Sequence, residues 1–273
     1  MRTICKTCMH HCSLEPGQSG ICGARKNENG IIVCANYGRI TALALDPIEK
    51  KPLRMFYPGS MILSVGSYGC NLKCPFCQNY EISMEYGSRA ERAVFLSPGQ
   101  LADKAAEYRH AGNIGVAFTY NEPLVGWEYV RDTAKLVKEA GMKNVIVTNG
   151  TASLEALEEI LPFTDAMNID LKGFRNDYYR RLGGDLDTVL ALIRRAAQSC
   201  HVELTTLIVP GENDDPAQME ELAKWAGPDL PLHVTRFFPR YQMAEKDATD
   251  VQMVYRLANI AGKYVKHVFV GNC

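Results

Sequence analysis

No stretch of this chain stays apolar for anything near the roughly 18 residues that a membrane-spanning helix needs. Its start, MRTICKTCMHHC, lacks the apolar core of a secretory signal, so neither export nor membrane insertion is expected. An excess of either charge is also missing. Lys plus Arg number 30 and Asp plus Glu 31, for a net charge of −1. That argues against a broad nucleic-acid footprint and leaves room only for a local basic patch. Short-period repeats and low-complexity tracts are absent. With 47% hydrophobic and 22% charged residues, the composition excludes a disordered or coiled-coil chain. The 273 residues suffice for one large domain or two modest ones.

What the chain has in quantity is cysteine, at positions 5, 8, 12, 22, 34, 70, 74, 77, 200 and 273. Eight of the ten fall within the first 77 residues. Without a signal sequence the expected location is the cytoplasm, where disulfides are rare and clustered cysteines more often bind metal or do redox work.

Composition divides the chain into a Cys-rich, β-containing segment over 1–58 and a second region over 59–273. The first ends in KKPLRMFYPGS, whose Pro and Gly punctuate the boundary. Beyond it, strands are predicted at 61–66, 113–120, 144–149, 166–172, 202–210, 233–238 and 267–271. Helical patterns lie between them at 98–111, 124–141, 153–161, 185–199, 216–226 and 247–263. Such alternation predicts an α/β fold with a parallel sheet and right-handed crossovers. Strand periodicity puts Asn168, Asp170 and Lys172 on one face, and Thr148, Glu203 and Thr205 suggest the same polarity on other strands. A parallel strand buried on both sides reads apolar on both faces. One polar face therefore points to a partial, TIM-like (β/α)6 barrel lined by polar groups.

Two cysteine patterns carry the chemistry. SYGCNLKCPFCQNY, at 67–80, places Cys70, Cys74 and Cys77 as C-x3-C-x2-C directly after a predicted strand, with Phe76 before the last cysteine. Three thiolates on one short loop suit an iron–sulfur cluster, and with no fourth cysteine nearby one iron stays open to an outside ligand. Structural zinc would want a fourth Cys or His close by, and none occurs between Cys77 and His110. Nearer the start, Cys5, Cys8, Cys12 and Cys22 read C-x2-C-x3-C-x9-C, sufficient for a second metal, either zinc or an iron–sulfur centre. His10 and His11 lie among them. HVTRFFPRYQ (233–242) places His233, Arg236, Arg240 and Tyr241 at or beyond a strand's C-terminal end, the face where α/β barrels gather their sites. An Arg there suits a carboxylate and Tyr241 an adenine; solvated loop charges are the plain alternative.

The loop at 67–80 resembles that of the radical S-adenosylmethionine (SAM) superfamily. The resemblance covers about 61–271 and implies a 4Fe–4S cluster on Cys70, Cys74 and Cys77, with SAM chelating the open iron. It further implies reductive cleavage of SAM to a 5′-deoxyadenosyl radical that takes hydrogen from a substrate. TYNEP (119–123) resembles the family's turn for the SAM ammonium, with Glu122 as the carboxylate and Thr119 and Asn121 beside it. TNG (148–150) and IDLK (169–172) are similar to strand ends of the glycyl-radical-enzyme activases, such as pyruvate formate-lyase activating enzyme. That likeness puts Thr148, Asp170 and Lys172 at the SAM site; Val147 stands where the activases carry an Asp beside their monovalent cation. The amino-terminal string, LDPIEKKPL (45–53) and GCNLKCPFCQNYEIS (69–83) resemble the radical SAM members of the AmmeMemoRadiSam group. Partners implied are a flavodoxin- or ferredoxin-type reductant and a protein substrate such as a glycyl radical enzyme; another protein, a peptide or a metabolite is the alternative. From a different class, an iron–sulfur electron carrier or a zinc scaffold would bear the same cysteines without cleaving SAM.

Overall fold

A computed structural model describes residues 1–84 and 87–273. Its main sheet has eight strands: β1 (Ala42–Pro47), β2 (Met61–Gly66), β3 (Asn113–Phe118), β4 (Lys143–Thr148), β5 (Ala166–Asp170), β6 (His201–Ile208), β7 (Leu232–Arg236) and β8 (Val268–Gly271). They lie side by side in chain order. From β2 to β8 every neighbour is parallel. Only β1 runs antiparallel, with Ala42 opposite Gly66 and Pro47 opposite Met61. Among the described residues β1 and β8 do not pair with each other, so the barrel is partial, as expected.

Six helices make the crossovers: α1 (Pro98–Glu107), α2 (Trp127–Glu139), α3 (Leu154–Ile160), α4 (Leu186–Ala196), α5 (Pro216–Ala226) and α6 (Val251–Ala261). Local chemistry starts them. Ser97 and Gln100 form a capping box, and Ser153, Asp185, Asp215 and Asp250 each accept a backbone N–H from the first turn they precede. In α4, buried Leu186, Val189, Leu192, Ile193 and Ala196 form the apolar stripe that packs on the sheet. That stripe joins the outward strand residues Val65, Phe118, Ile146, Ile169 and Leu204 in the main core. No helix among the described residues is long and apolar enough to cross a membrane.

The inner face of the barrel is filled at its lower end by the chain between β1 and β2. Ile48 and Leu53 pack there against Ile62, Ala117, Val145 and Ala166. Polar groups fasten this plug. Glu203, fully buried, accepts the backbone N–H of Arg54 at 3.0 Å and of Met55 at 2.8 Å, and Asn168 Nδ2 donates to the Pro52 carbonyl at 2.8 Å. The division expected near residue 58 therefore falls inside the barrel, because 42–47 is its edge strand and 48–56 its floor.

The cysteine-rich start folds into two short antiparallel pairs, Thr3–Ile4 with Ser13–Leu14 and Arg25–Glu28 with Ile31–Cys34. Arg25 crosses to α2, where it donates to both oxygens of Glu128 at 2.7 Å. None of the ten cysteines is in a disulfide.

Candidate active site

All the loops that matter leave the C-terminal ends of the strands. After β2 the chain turns through Gly69, held at φ +92°, where a Cβ would stand 2.5 Å from the Cys22 carbonyl. Only glycine fits that turn and that approach. Asn121 ties the base of the same loop: its Oδ1 accepts from Ser67 N at 2.9 Å, and its Nδ2 donates to the Gly69 carbonyl at 3.0 Å. The rest of the loop packs into an apolar wall of Leu72, Cys74, Phe76, Tyr178, Leu182, Val209 and Phe237. Above the plug, whose Pro52 reaches its lining, opens a cavity of about 320 Å³. Around it stand Cys70, Cys74, Phe76, Cys77, Thr119, Asn121, Glu122, Thr148, Asp170 and Lys172. Those positions, expected from four separate strings of the sequence, converge on one space.

Glu122 is the most constrained of them. Its Oε1 accepts from Leu124 N at 3.0 Å and from Thr148 Oγ1 at 2.7 Å, and its Oε2 accepts from Asn149 N at 2.7 Å. It thereby caps the turn before α2 and joins β3 to β4. Burial pushes its pKa up to about 7 even though all three donors favour the ionised form. Across the cavity Lys172 Nζ donates to Asp170 Oδ2 at 2.8 Å. Burial disfavours the ammonium, but Asp170 and Cys74 outweigh it and hold the Lys172 pKa well above its ordinary value.

Four expected residues stand elsewhere. Asn168 lies one pleat below Asp170, and its Oδ1 accepts from Thr205 Oγ1 at 3.0 Å while its Nδ2 holds Pro52. His233 is not at the catalytic end. It is the second residue of β7, and its Nε2 donates to Glu203 Oε2 at 2.6 Å in the floor; Thr235, one pleat higher, lines the cavity. Arg236 turns away, with Nε donating to the Thr249 carbonyl at 2.7 Å and its guanidinium over Phe238. Beyond the strand, Tyr241 stacks on Tyr80 with ring centroids 4.4 Å apart and does not line the cavity. Asn149 was not singled out by its sequence, yet its Nδ2 reaches Cys70 Sγ at 3.6 Å. Its place in TNG was the available signal.

The model of the radical SAM superfamily matches residues 64–226, well over half of the chain. This chain belongs to the radical SAM superfamily. An uncharacterised protein of Methanocaldococcus jannaschii is 35% identical over 98% of this chain and 80% of its own length. Pyruvate formate-lyase 1-activating enzyme of Escherichia coli is 25% identical over 70% of this chain and 79% of its own. Among solved structures, SuiB of Streptococcus suis bound to S-adenosylmethionine shares the fold, with a TM-score of 0.60 and 16% identity over 76% of this chain and 48% of that one.

Radical SAM membership implies a 4Fe–4S cluster and SAM, and the residues present fit both. The Cys70, Cys74 and Cys77 thiols face one cavity, and burial raises the pKa of all three, Cys74 to about 11. Such thiols stay protonated near neutrality unless a metal displaces the proton. No three His, Cys, Asp or Glu side chains among the described residues converge tightly enough for a single metal ion. The three thiols bound one cavity, and soft sulfur ligands on one short loop suit an iron–sulfur cluster. The Tyr178 hydroxyl, buried within electrostatic range of Cys74, has no hydrogen-bond partner among the described residues. A cluster sulfur would give it an acceptor. Glu122, buried in the cavity wall, offers a carboxylate to an ammonium.

Proposed function

We propose that this radical SAM protein binds a 4Fe–4S cluster through Cys70, Cys74 and Cys77 and cleaves SAM reductively to take hydrogen from a protein substrate. The supporting observation is the convergence of those cysteines, Glu122 and the Asp170–Lys172 pair on one cavity. When bound, the cluster and SAM supply the one-electron cleavage that yields methionine and the 5′-deoxyadenosyl radical. The chain's own residues do the holding. Glu122, placed by Thr148 and Asn149, pairs with the SAM ammonium. Lys172, kept charged by Asp170, faces the carboxylate. Thr119 and Phe76 close the walls, and Asn121 keeps the cluster loop in register.

The relatives named as activating enzymes support a glycyl radical enzyme as the protein substrate, and in this reading the chain is an activating-enzyme-type oxidoreductase. In this reading it works in the cytoplasm with a flavodoxin- or ferredoxin-type reductant. Cys5, Cys8, Cys12 and Cys22 form a second metal centre, zinc or iron–sulfur.

The test is direct. Anaerobically reconstituted protein, reduced with dithionite and given SAM, is expected to release 5′-deoxyadenosine, and Cys74→Ala to release none. Equal product from Cys74→Ala overturns the site. With a candidate glycyl radical enzyme present, an EPR signal of a glycyl radical is expected on that partner; its absence across the encoded candidates overturns the activase reading alone.

A further inference from the structure

The amino-terminal cysteines do not line the cavity, yet they are gathered together and lie against its cluster loop. Cys5 and Cys12 face each other at the end of the first short pairing, the Cys5 N–H donating to the Cys12 carbonyl at 2.9 Å. A tight turn brings Cys22 to them. There the Gly23 N–H donates to the Gly20 carbonyl at 2.9 Å, and a Cβ on Gly20 would stand 3.6 Å from Cys12 Sγ. Cys8 lies within electrostatic range of Cys5 and Cys22, and Cys22 within that of Cys5 and Cys12. Cys5, Cys8 and Cys22 are buried and Cys12 is half-buried, all four outside any disulfide.

This arrangement repeats that of Cys70, Cys74 and Cys77, which are also buried or half-buried neighbours in electrostatic contact. A structural zinc draws all four sulfurs onto a single centre, each about 2.3 Å from the metal. A cluster spreads its ligands over several irons. Four thiols gathered beside the cluster loop in the same way as its own three carry the iron–sulfur reading over to the second group, with zinc as the outcome the metal analysis tests against.

Three side chains fill the gap between the two groups. Asn71 Nδ2 donates to Thr151 Oγ1 at 2.8 Å, Thr151 Oγ1 to Asn149 Oδ1 at 2.6 Å, and Asn149 Nδ2 to Asn71 Oδ1 at 3.0 Å, which closes a ring. On one side of the ring Asn149 Nδ2 reaches Cys70 Sγ. On the other, the Asn71 amide is a hydrogen-bond partner of the Cys8 thiol, and His10 Nε2 donates to the Asn71 carbonyl at 2.8 Å. Backbone contacts hold the segment there: Cys8 bridges Ala152, and Ser153 N donates to the Thr7 carbonyl at 2.9 Å.

We propose that Cys5, Cys8, Cys12 and Cys22 hold a second iron–sulfur cluster, joined to the one on the cluster loop by the ring of Asn71, Thr151 and Asn149. The inference deepens the reading of the second metal centre and rests on it, not on SAM cleavage. In the ring Asn149 is a positioning residue, giving an N–H to the Cys70 sulfur. Hydrogen bonds to cluster sulfurs and charge nearby both set the reduction potential, so each centre senses the other.

The protein with Cys70, Cys74 and Cys77 all changed to Ala, reconstituted anaerobically, is expected to keep roughly half the native iron and sulfide and an EPR signal when reduced. Adding Cys5→Ser and Cys8→Ser is expected to remove both. Zinc found in place of iron overturns the cluster but leaves a metal centre; no bound metal overturns both. A second measurement does not depend on how the triple variant folds. In the otherwise native holoprotein, Asn149→Ala and Cys8→Ser are each expected to shift the midpoint potential of the cluster held by Cys70, Asn149→Ala to more negative values because the reduced sulfurs lose a donor. An unchanged potential in both variants overturns the link. None of these readouts uses SAM turnover, so failure of SAM cleavage and failure of the second cluster are told apart.

Discussion

Glu122 shows how much one side chain is asked to do. It caps a turn, joins β3 to β4 and faces the cavity with a pKa of about 7. Below that pH the carboxyl is neutral and offers an ammonium no counter-charge. SAM affinity of the cluster-loaded protein is therefore expected to rise with pH, by nearly tenfold per unit at most, and to level off above about 7. Glu122→Gln is expected to flatten the profile and to weaken binding at pH 8 by about 1.5–3 kcal/mol; calorimetry across pH checks it, and an unaltered profile removes Glu122 from the ammonium site. Without SAM the sign reverses. The folded state then holds the proton more tightly than the unfolded chain does, so stability falls as pH rises from the ordinary carboxylate range toward 7. The TYNEP string points to this residue because it resembles the family's turn for the SAM ammonium. Asn149 could not be named on such grounds, since an amide's role depends on which sulfur it turns toward.

Among the elements, the plug between β1 and β2 decides where the cavity begins. Its anchor, Glu203, accepts from the Arg54 and Met55 amides and from the imidazoles of His201 and His233. Burial works against its charge, but the two imidazoles and two amides prevail and hold the pKa at about 2. The stability this contributes is present above the ordinary carboxylate pKa of 4.5 and is lost as pH falls through about 2. Glu203→Ala leaves the buried His233 and three part-buried donors without their acceptor and is expected to cost about 1–3 kcal/mol in urea unfolding. A cost under 1 kcal/mol would mean that water replaces the carboxylate and the floor is loose. Strand order was legible because apolar runs alternate with capped amphipathic helices. The layer of His233 is not legible in the sequence, because one pleat along β7 separates the floor from the cavity and only the plug shows which layer is which.

For the molecule as a whole, the question is what holds the cysteine-rich start to the barrel. Arg25 spans the two, its side chain 6% exposed against Glu128 at 23%. Arg25→Ala is expected to cost about 2 kcal/mol and to lower Tm by roughly 4–8 °C, read by calorimetry. A drop of that size accompanied by loss of iron would show that docking of the segment and metal content are coupled; an unchanged Tm would place the adhesion elsewhere, on the Thr7–Ser153 contacts and the Gly69 approach.

By itself the sequence determined the superfamily and the element order, because the spacing of Cys70, Cys74 and Cys77 and the alternation of strand and helix are properties of neighbouring residues. Strand periodicity also put Asp170 and Lys172 on one face, and the family resemblance pointed to Thr119, Asn121, Glu122 and Thr148. Tertiary structure alone decided what those groups touch. Which carboxylate is buried in the cavity wall, which histidine belongs to the floor, and how a segment of the first forty residues comes to rest on the cluster loop all depend on contacts between residues far apart in the chain. Burial and hydrogen-bond partners are set by those contacts, and they determine pKa, orientation and reach.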